Sequence, residues 1–403
     1  MSSVRHFDVP HLVRFGRLDD ETRQTWMRFY RAATCFEVTI HGTDIQGSPF
    51  EAKWSRAAFK KEDDRHFSGK WNDLCDCVIE QILPNLQQLA PAGLRSWTTL
   101  EDYIRTTSYK LSLHKTENGH DDIEVRLDEG PTTKPAFEIH PELISALPFD
   151  LPNALPRIPA SDLQVLDQHK DLPRRPYMVR LPDASIAYLI SSQGEVQHMP
   201  SGRLSNPSLD TIQAQLNLYN LFTNPEIPDE HLKRIPKPLG IVTTSSEPIH
   251  PSEANAGSPT PNLQLAGILL TDIPGALHLS HPTTISLITS MPNPTSIRHS
   301  LHESLRQTIA TLHAQKQPII HGNINPHTIL IANREVGLDP LLVGFSPGVA
   351  NNLFIDQSVA GTAEADLDGL ESTFGENGWL AHEIGKAEGL LSDDQPWEKS
   401  VRR

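Results

Sequence analysis

Leu301, Leu305, Ile309 and Leu312 recur three and four residues apart and predict one apolar helical stripe. Ser296 or Ser300 is placed to cap that helix, and Pro318 forbids its continuation. Thr211 to Phe222 (TIQAQLNLYNLF) predicts a second helix. Met178 to Ile190 (MVRLPDASIAYLI) alternates around Pro182-Asp183-Ala184 and predicts two strands joined by a turn. Earlier in the chain, Asp19 to Ala33 reads as a helix with Trp26, Phe29 and Tyr30 on one side, and Cys35 to Ile40 alternates like a strand. Leu74, Val78, Ile79, Ile82 and Leu86 predict an amphipathic helix that Pro84 bends or restarts. Thr98-Thr99-Leu100-Glu101 has a capping-box pattern and opens a short helix through Ile104. The aromatic side chains of this region read as core.

Proline density divides the chain. Residues 1–140 form a mainly helical region, and 141–175 a connector that carries Pro148, Pro152, Pro156, Pro159 and Pro173. Ile144, Leu147, Leu151, Leu155 and Leu163 give the connector apolar anchors, so it is expected to lie over a surface. Residues 245–261, rich in Ser, Pro and Asn, read as a disordered loop, and 281–295 as a third, less polar loop. No internal repeat is evident.

The most informative stretch is His321-Gly322-Asn323-Ile324-Asn325-Pro326-His327-Thr328-Ile329-Leu330-Ile331. It resembles the catalytic loop of protein kinases, H-[RG]-D-x-K-P-x-N-[IV]-L-[IL], with its apolar frame kept and its working residues replaced. In that loop an Asp accepts the hydroxyl proton, a Lys lies near the transferred phosphate and an Asn holds magnesium. Asn323, Asn325 and Thr328 stand at those positions here. Ten residues beyond Ile331, Leu341-Leu342-Val343-Gly344-Phe345-Ser346 resembles the strand and D-F-G motif, with Gly344 in place of the metal-binding Asp.

The order of further weak matches agrees. Ile235 to Thr243 resembles a strand of the kinase N-lobe, and Asn262 to Gly275 the strand and hinge between lobes, with the backbone at Leu270, Thr271, Asp272 and Ile273 as the hinge. Thr211 to Phe222 resembles the helix that carries the ion-pair Glu, but holds Gln213 and Gln215 instead. Met178 to Ile190 is similar to a strand pair in a group of fungal kinase-like proteins, with Ser191 or Ser192 where the phosphate-binding Lys would stand. Gly361 to Glu371 resembles a later segment of that group, in which Asp366 would cap a central helix and fasten the loop. A competing alignment places Gly378 to Glu383 on another kinase segment.

The resemblance spans residues 175–385 and implies an α+β fold of two lobes: a small antiparallel-sheet N-lobe with hinge over 176–275, and a truncated helical C-lobe over 276–403. His321, Pro326, Phe345 and Asp366 would be structural. Asn323, Asn325, Thr328, Gly344 and Ser191 would mark lost catalytic positions. A positioned general base is worth about 10²–10⁴ in rate, and the metal ligands and Lys–Glu pair are absent as well. The resemblance therefore implies a pseudokinase that works by binding another protein, with no cofactor required and tight ATP–Mg binding not expected.

Two other readings stay open at this level. One is an atypical active phosphotransferase that uses Asp339, Asp356 or Asp366 as displaced carboxylates. The other is an auxiliary protein of a biosynthetic pathway that holds a small apolar molecule in the former ATP cleft.

Composition narrows the partners. With 35 Lys and Arg against 50 Asp and Glu, the net charge is −15, which disfavours nucleic acid and anionic membranes. Three cysteines are too few for a disulfide scaffold and fit a reducing compartment, cytoplasmic or nuclear. Neither a signal-peptide core nor an apolar run of membrane-spanning length is expected. The Cys75-x-Cys77 pair falls in a helical pattern, where the two side chains point apart, so it reads as half-buried structure rather than a zinc or redox site. His313, His321 and His327 match no metal-ligand spacing.

Overall fold

The computed structural model describes residues 11–19, 23–59, 67–92, 96–116, 122–166, 176–192, 197–198, 204–205, 207–227, 232–245, 262–334, 337–345, 354–355, 357–392 and 397. They form an α+β protein of two compact units, 1–139 with 161–176 and 140–160 with 177–403.

In the first unit, strands β1 (His11–Asp19), β2 (Gln24–Arg31), β3 (Thr34–His41), β4 (Thr106–Lys115) and β5 (Ile123–Lys134) make one sheet in that order. β3 and β4 are parallel, so the chain between them crosses over, through helices α1 (Pro49–Phe59) and α2 (Phe67–Leu89). Met27, Phe29, Phe36 and Val38 from the sheet pack with Trp54, Leu74, Val78, Ile82 and Leu86 from the helices.

The mainly helical region expected over 1–140 is thus a sheet with helices on it. The helix expected over Asp19–Ala33 is largely β2. Thr25, Met27 and Phe29 are buried while Trp26 and Arg28 are only half so, a period of two that the aromatic spacing disguised. Ala32 and Ala33, at φ of 44° and 52°, turn the chain tightly into β3. α2 runs through Pro84 as a single helix. The capping box lies one residue later than the sequence pattern: Thr99 caps α3 (Leu100–Ile104), and Asp102 reciprocates. Strand β8 (Gln164–Val165) follows Leu163, whose carbonyl accepts the Leu100 amide at 3.0 Å.

In the second unit, β7 (Arg157–Pro159), β13 (Pro238–Ser245), β14 (Leu263–Thr271), β10 (Ile186–Ser191) and β9 (Met178–Arg180) are successive neighbours, and β6 (Glu142–Leu143) pairs beside β10 on β14. The β9–β10 hairpin forms where the alternation predicted it, with Asp183 accepting the Ser185 amide at 2.9 Å. The short pairs β11 (Gln197–His198) and β12 (Leu204–Ser205) stand apart from this sheet. Helix α4 (Pro207–Phe222) lays Ile212 and Leu216 on the sheet with Ile241, Leu265 and Ile268. Leu155, Ile144, Leu147 and Leu151 of the proline-dense segment join that cluster. This segment is therefore not a separate connector. Its first part supplies strands to one unit and its last part belongs to the other.

The rest of the unit is helical around a small sheet. β15 (Leu277–His278), β16 (Ile329–Arg334) and β17 (Gly337–Leu342) form three antiparallel strands. Helices α5 (Pro282–Thr289), α6 (Pro294–His313), α7 (Ala363–Phe374) and α8 (Trp379–Ala387) surround them. The loop expected over 281–295 contains α5, because His281 caps it and Pro282 occupies its first turn. Asn293, rather than Ser296 or Ser300, caps α6. Leu301, Leu305, Ile309 and Leu312 face one core with Leu218, Ile324, Phe345, Leu370 and Phe374. Residues 246–261, expected as a loop, lie outside the described residues.

Candidate functional site

The loop from His321 to Thr328 enters below the end of α6 and leaves into β16. Three elements hold it. From α7, the fully buried Asp366 accepts the backbone N–H of His321 at 2.8 Å and that of Gly322 at 2.7 Å. From the end of α6, His313 Nε2 lies 2.9 Å from the same carboxylate. From the segment after β17, the Val343 carbonyl lies 2.9 Å from His321 Nε2, and the Phe345 ring centroid is 4.4 Å from the imidazole.

His321 is also fully buried, and burial lowers its pKa. The neutral tautomer with the proton on Nε2 satisfies both ring nitrogens, because Nδ1 accepts the Asn323 amide at 3.3 Å. Asp366 does not cap α7. Thr362 does, accepting the Ala365 amide, and Asp366 sits a turn inside, where its side chain meets the loop. Gly369, one turn further, lets α7 approach: a Cβ there would stand 2.5 Å from the Ile324 carbonyl oxygen.

The polar side chains of the loop bind one another. Asn325, nearly buried, donates from Nδ2 to the Asn323 carbonyl and to Asn323 Oδ1, each at 2.9 Å, while its own Oδ1 accepts the His327 amide. Thr328 Oγ1 lies 2.8 Å from the Asn323 carbonyl and accepts the Asn325 amide at 3.0 Å. Gly344 is adjacent, since a Cβ on it would stand 3.4 Å from Thr328 Cγ2, and its φ of +72° favours glycine. Asn323, Asn325, Thr328 and Gly344 are thus gathered in one place. Pro326 ties the loop to the β15 side, its carbonyl accepting the Ser280 amide at 3.2 Å.

The remaining predicted residues lie on the sheet. Ser191 ends β10 opposite Gly267, and its buried hydroxyl has no hydrogen-bond partner in the described structure. Leu270 and Thr271 close β14, and Asp272 and Ile273 follow it. The Thr271 amide and hydroxyl are engaged by Lys237, each at 2.9 Å, and the Ile273 carbonyl accepts the Ala276 amide. The Thr271 amide and the Ile273 carbonyl are therefore already engaged within the fold.

Among the displaced carboxylates considered, Asp339 is held between Arg234 and Arg334, each at 3.4 Å, and Asp366 is consumed by the loop. Asp356 lies outside the described residues, as does Ser346. Glu383, from the competing alignment, is in α8 beside His382 and Lys386. Among the described residues, no group of three His, Cys, Asp or Glu side chains could hold a metal. Cys75 and Cys77 ride on α2, and burial pushes the Cys77 thiol up to about 12.

One structural residue escaped the sequence reading. Arg298 is buried in α6, and its guanidinium donates to the Phe374 and Gly375 carbonyls at the end of α7. The signal was available: Arg298 falls three residues before Leu301, within the apolar stripe. No protein-family model matches the chain, and no curated protein matches it.

Proposed function

We propose that residues 176–403 form a two-lobed protein-kinase-like fold whose phosphotransfer centre has decayed, and that the protein acts as a protein-binding scaffold or regulator. One observation carries this reading. The frame that holds the loop is complete, with Asp366 on two backbone amides and His321 between Val343 and Phe345. The positions inside that frame hold only neutral groups, and these bind each other.

Asn323 offers an amide where a carboxylate would take a proton, and an amide is no useful base near neutral pH. Thr328 and Gly344 provide no carboxylate or carboxamide for magnesium. Ser191, being uncharged, supplies no cation to set against a phosphate. Phosphoryl transfer depends almost wholly on positioning and charge stabilisation, so loss of all these charges together removes the catalytic contribution.

The test is phosphotransfer itself. The full chain and its Asn323→Asp variant are incubated with radiolabelled ATP, magnesium and a generic protein substrate. The reading predicts no transfer and no ATP hydrolysis above buffer for either protein. Turnover by the unaltered chain, or its appearance on restoring one carboxylate, would refute it.

A further inference from the structure

We propose that an aromatic seat at the start of α7 docks a tryptophan carried by a segment of another protein, and that the chain's own Trp397 fills it as a displaceable latch. This goes beyond the reading above and does not rest on it, because the seat uses no side chain of the loop from His321 to Thr328.

The seat is an apolar cluster of its own. Phe354, Ile355 and Ala365 are buried together, and Val359 and Trp379 pack against them. Phe354 and Ile355 follow β17, and Val359 ends the 3₁₀ turn Gln357–Val359. Ala365 lies in the first turn of α7, and Trp379 opens α8.

Trp397 identifies the side chain that the seat accepts. It packs against the same cluster, and its ring stacks on Phe354 with centroids 4.9 Å apart and planes 18° from parallel. Its Nε1 donates to the Asn377 carbonyl at 3.3 Å. An aliphatic side chain offers neither the flat ring nor the donor, and phenylalanine lacks the donor, so the seat selects an indole.

The way Trp397 is held makes it removable. Trp54 is fully buried and Trp97 nearly so, and each donates to a threonine hydroxyl inside the fold, Thr25 and Thr106, at 2.9 Å. Trp397 is only half-buried, and its hydrogen bond is open to water. A tethered occupant of this kind competes as a ligand at an effective concentration on the order of millimolar. A second tryptophan, on a segment that adds contacts of its own, can therefore take its place. Tryptophan is also among the residues that most often anchor protein interfaces.

The test fills the seat from solution. Trp397→Ala in the full chain removes the latch. The variant is titrated with N-acetyltryptophanamide, with N-acetylleucinamide and with a peptide of residues 390–403, each read as a thermal shift. The indole compound and the peptide are expected to raise its melting temperature saturably, and the leucine compound to leave it unchanged. The unaltered chain, whose seat is filled, should bind the peptide too, but about tenfold more weakly or less. Adding Phe354→Leu to Trp397→Ala should weaken both responses about tenfold. If Trp397→Ala gives no cooperative melt, Trp397→Val carries the same titrations.

The proposal is overturned if either the indole compound or the peptide fails to shift the variant, or if the indole and leucine compounds act alike. It is overturned if the unaltered chain binds the peptide as tightly as the variant, since the peptide then sits elsewhere. It is equally overturned if the unaltered chain binds no peptide at any concentration, since Trp397 is then a fixed part of the fold.

Discussion

The Asp366 carboxylate lies 2.8 Å from the backbone nitrogen of His321, with both residues fully buried and 45 positions apart in sequence. A second bond, 2.7 Å from Gly322, makes this side chain the fastening between α7 and the loop. Asp366→Ala leaves two buried N–H groups unpaired and His313 without its acceptor. Each orphaned group costs about 1–3 kcal/mol, so a loss of about 3 kcal/mol or more is expected. Asp366→Asn keeps the shape but can place only one oxygen, and should fall between. Urea unfolding of the three proteins checks the order. Equal midpoints would show that the carboxylate fastens nothing.

Gly369 sets how closely α7 can lie under the same loop. A methyl group there meets the Ile324 carbonyl at 2.5 Å, and Ile324 is itself fully buried, so neither side can give way cheaply. Gly369→Ala removes a helix-interior glycine, a change that by itself favours a helix by about 1 kcal/mol. The clash should reverse that sign and leave a net loss of about 1–3 kcal/mol. Gly389→Ala offers a contrast: nothing lies within 4 Å of that site, but its φ of +72° imposes a milder, purely backbone cost. Thermal unfolding should rank Gly369→Ala as the less stable variant.

The pH response follows from three imidazoles. Burial lowers the pKa of His321, His302 and His278, with Asp366, Glu371 and a His327 backbone contact acting in the opposite direction. A histidine whose folded pKa is depressed binds its proton more readily when unfolded. Its stabilising contribution is present in full above the unfolded value of about 6.5 and fades as pH falls towards the folded value. The protein should thus unfold at lower urea at about pH 5.5 than at about pH 7.5. His302→Gln should reduce that difference, because it removes one of the three titrations. A variant with the same pH difference as the unaltered chain would remove His302 from the explanation.

Local signals were legible wherever the pattern of a single element decides its form. The leucine stripe of α6, the helix α4 and the β9–β10 hairpin all follow from spacing and turn residues. The early strand β2 did not, because Trp26, Phe29 and Tyr30 fit a helical face as well as an alternating strand. What decides between them is pairing with β1 and β3, which no local window contains. Caps were misplaced by one to several residues for a related reason. Ser, Thr and Asn abound near α3 and α6, and the backbone geometry chooses among them.

At the loop, the residue types alone showed that Asn323, Asn325, Thr328 and Gly344 carry no charge. Their use did not follow from the sequence. That Asn325 and Thr328 bind Asn323 depends on the turn the loop makes, and that His313 shares Asp366 with His321 depends on the end of α6 lying beside the first turn of α7.

The most direct test of the account is binding of magnesium–ATP by the purified full chain, followed as a thermal shift up to millimolar nucleotide. A ligand present at about 100 times its Kd stabilises a fold by about 2.7 kcal/mol, a shift that such a measurement resolves easily. The account predicts an unchanged melting temperature, because Asn323, Thr328, Gly344 and Ser191 carry no charge of their own for magnesium or triphosphate. A saturable rise in melting temperature that requires magnesium would contradict it.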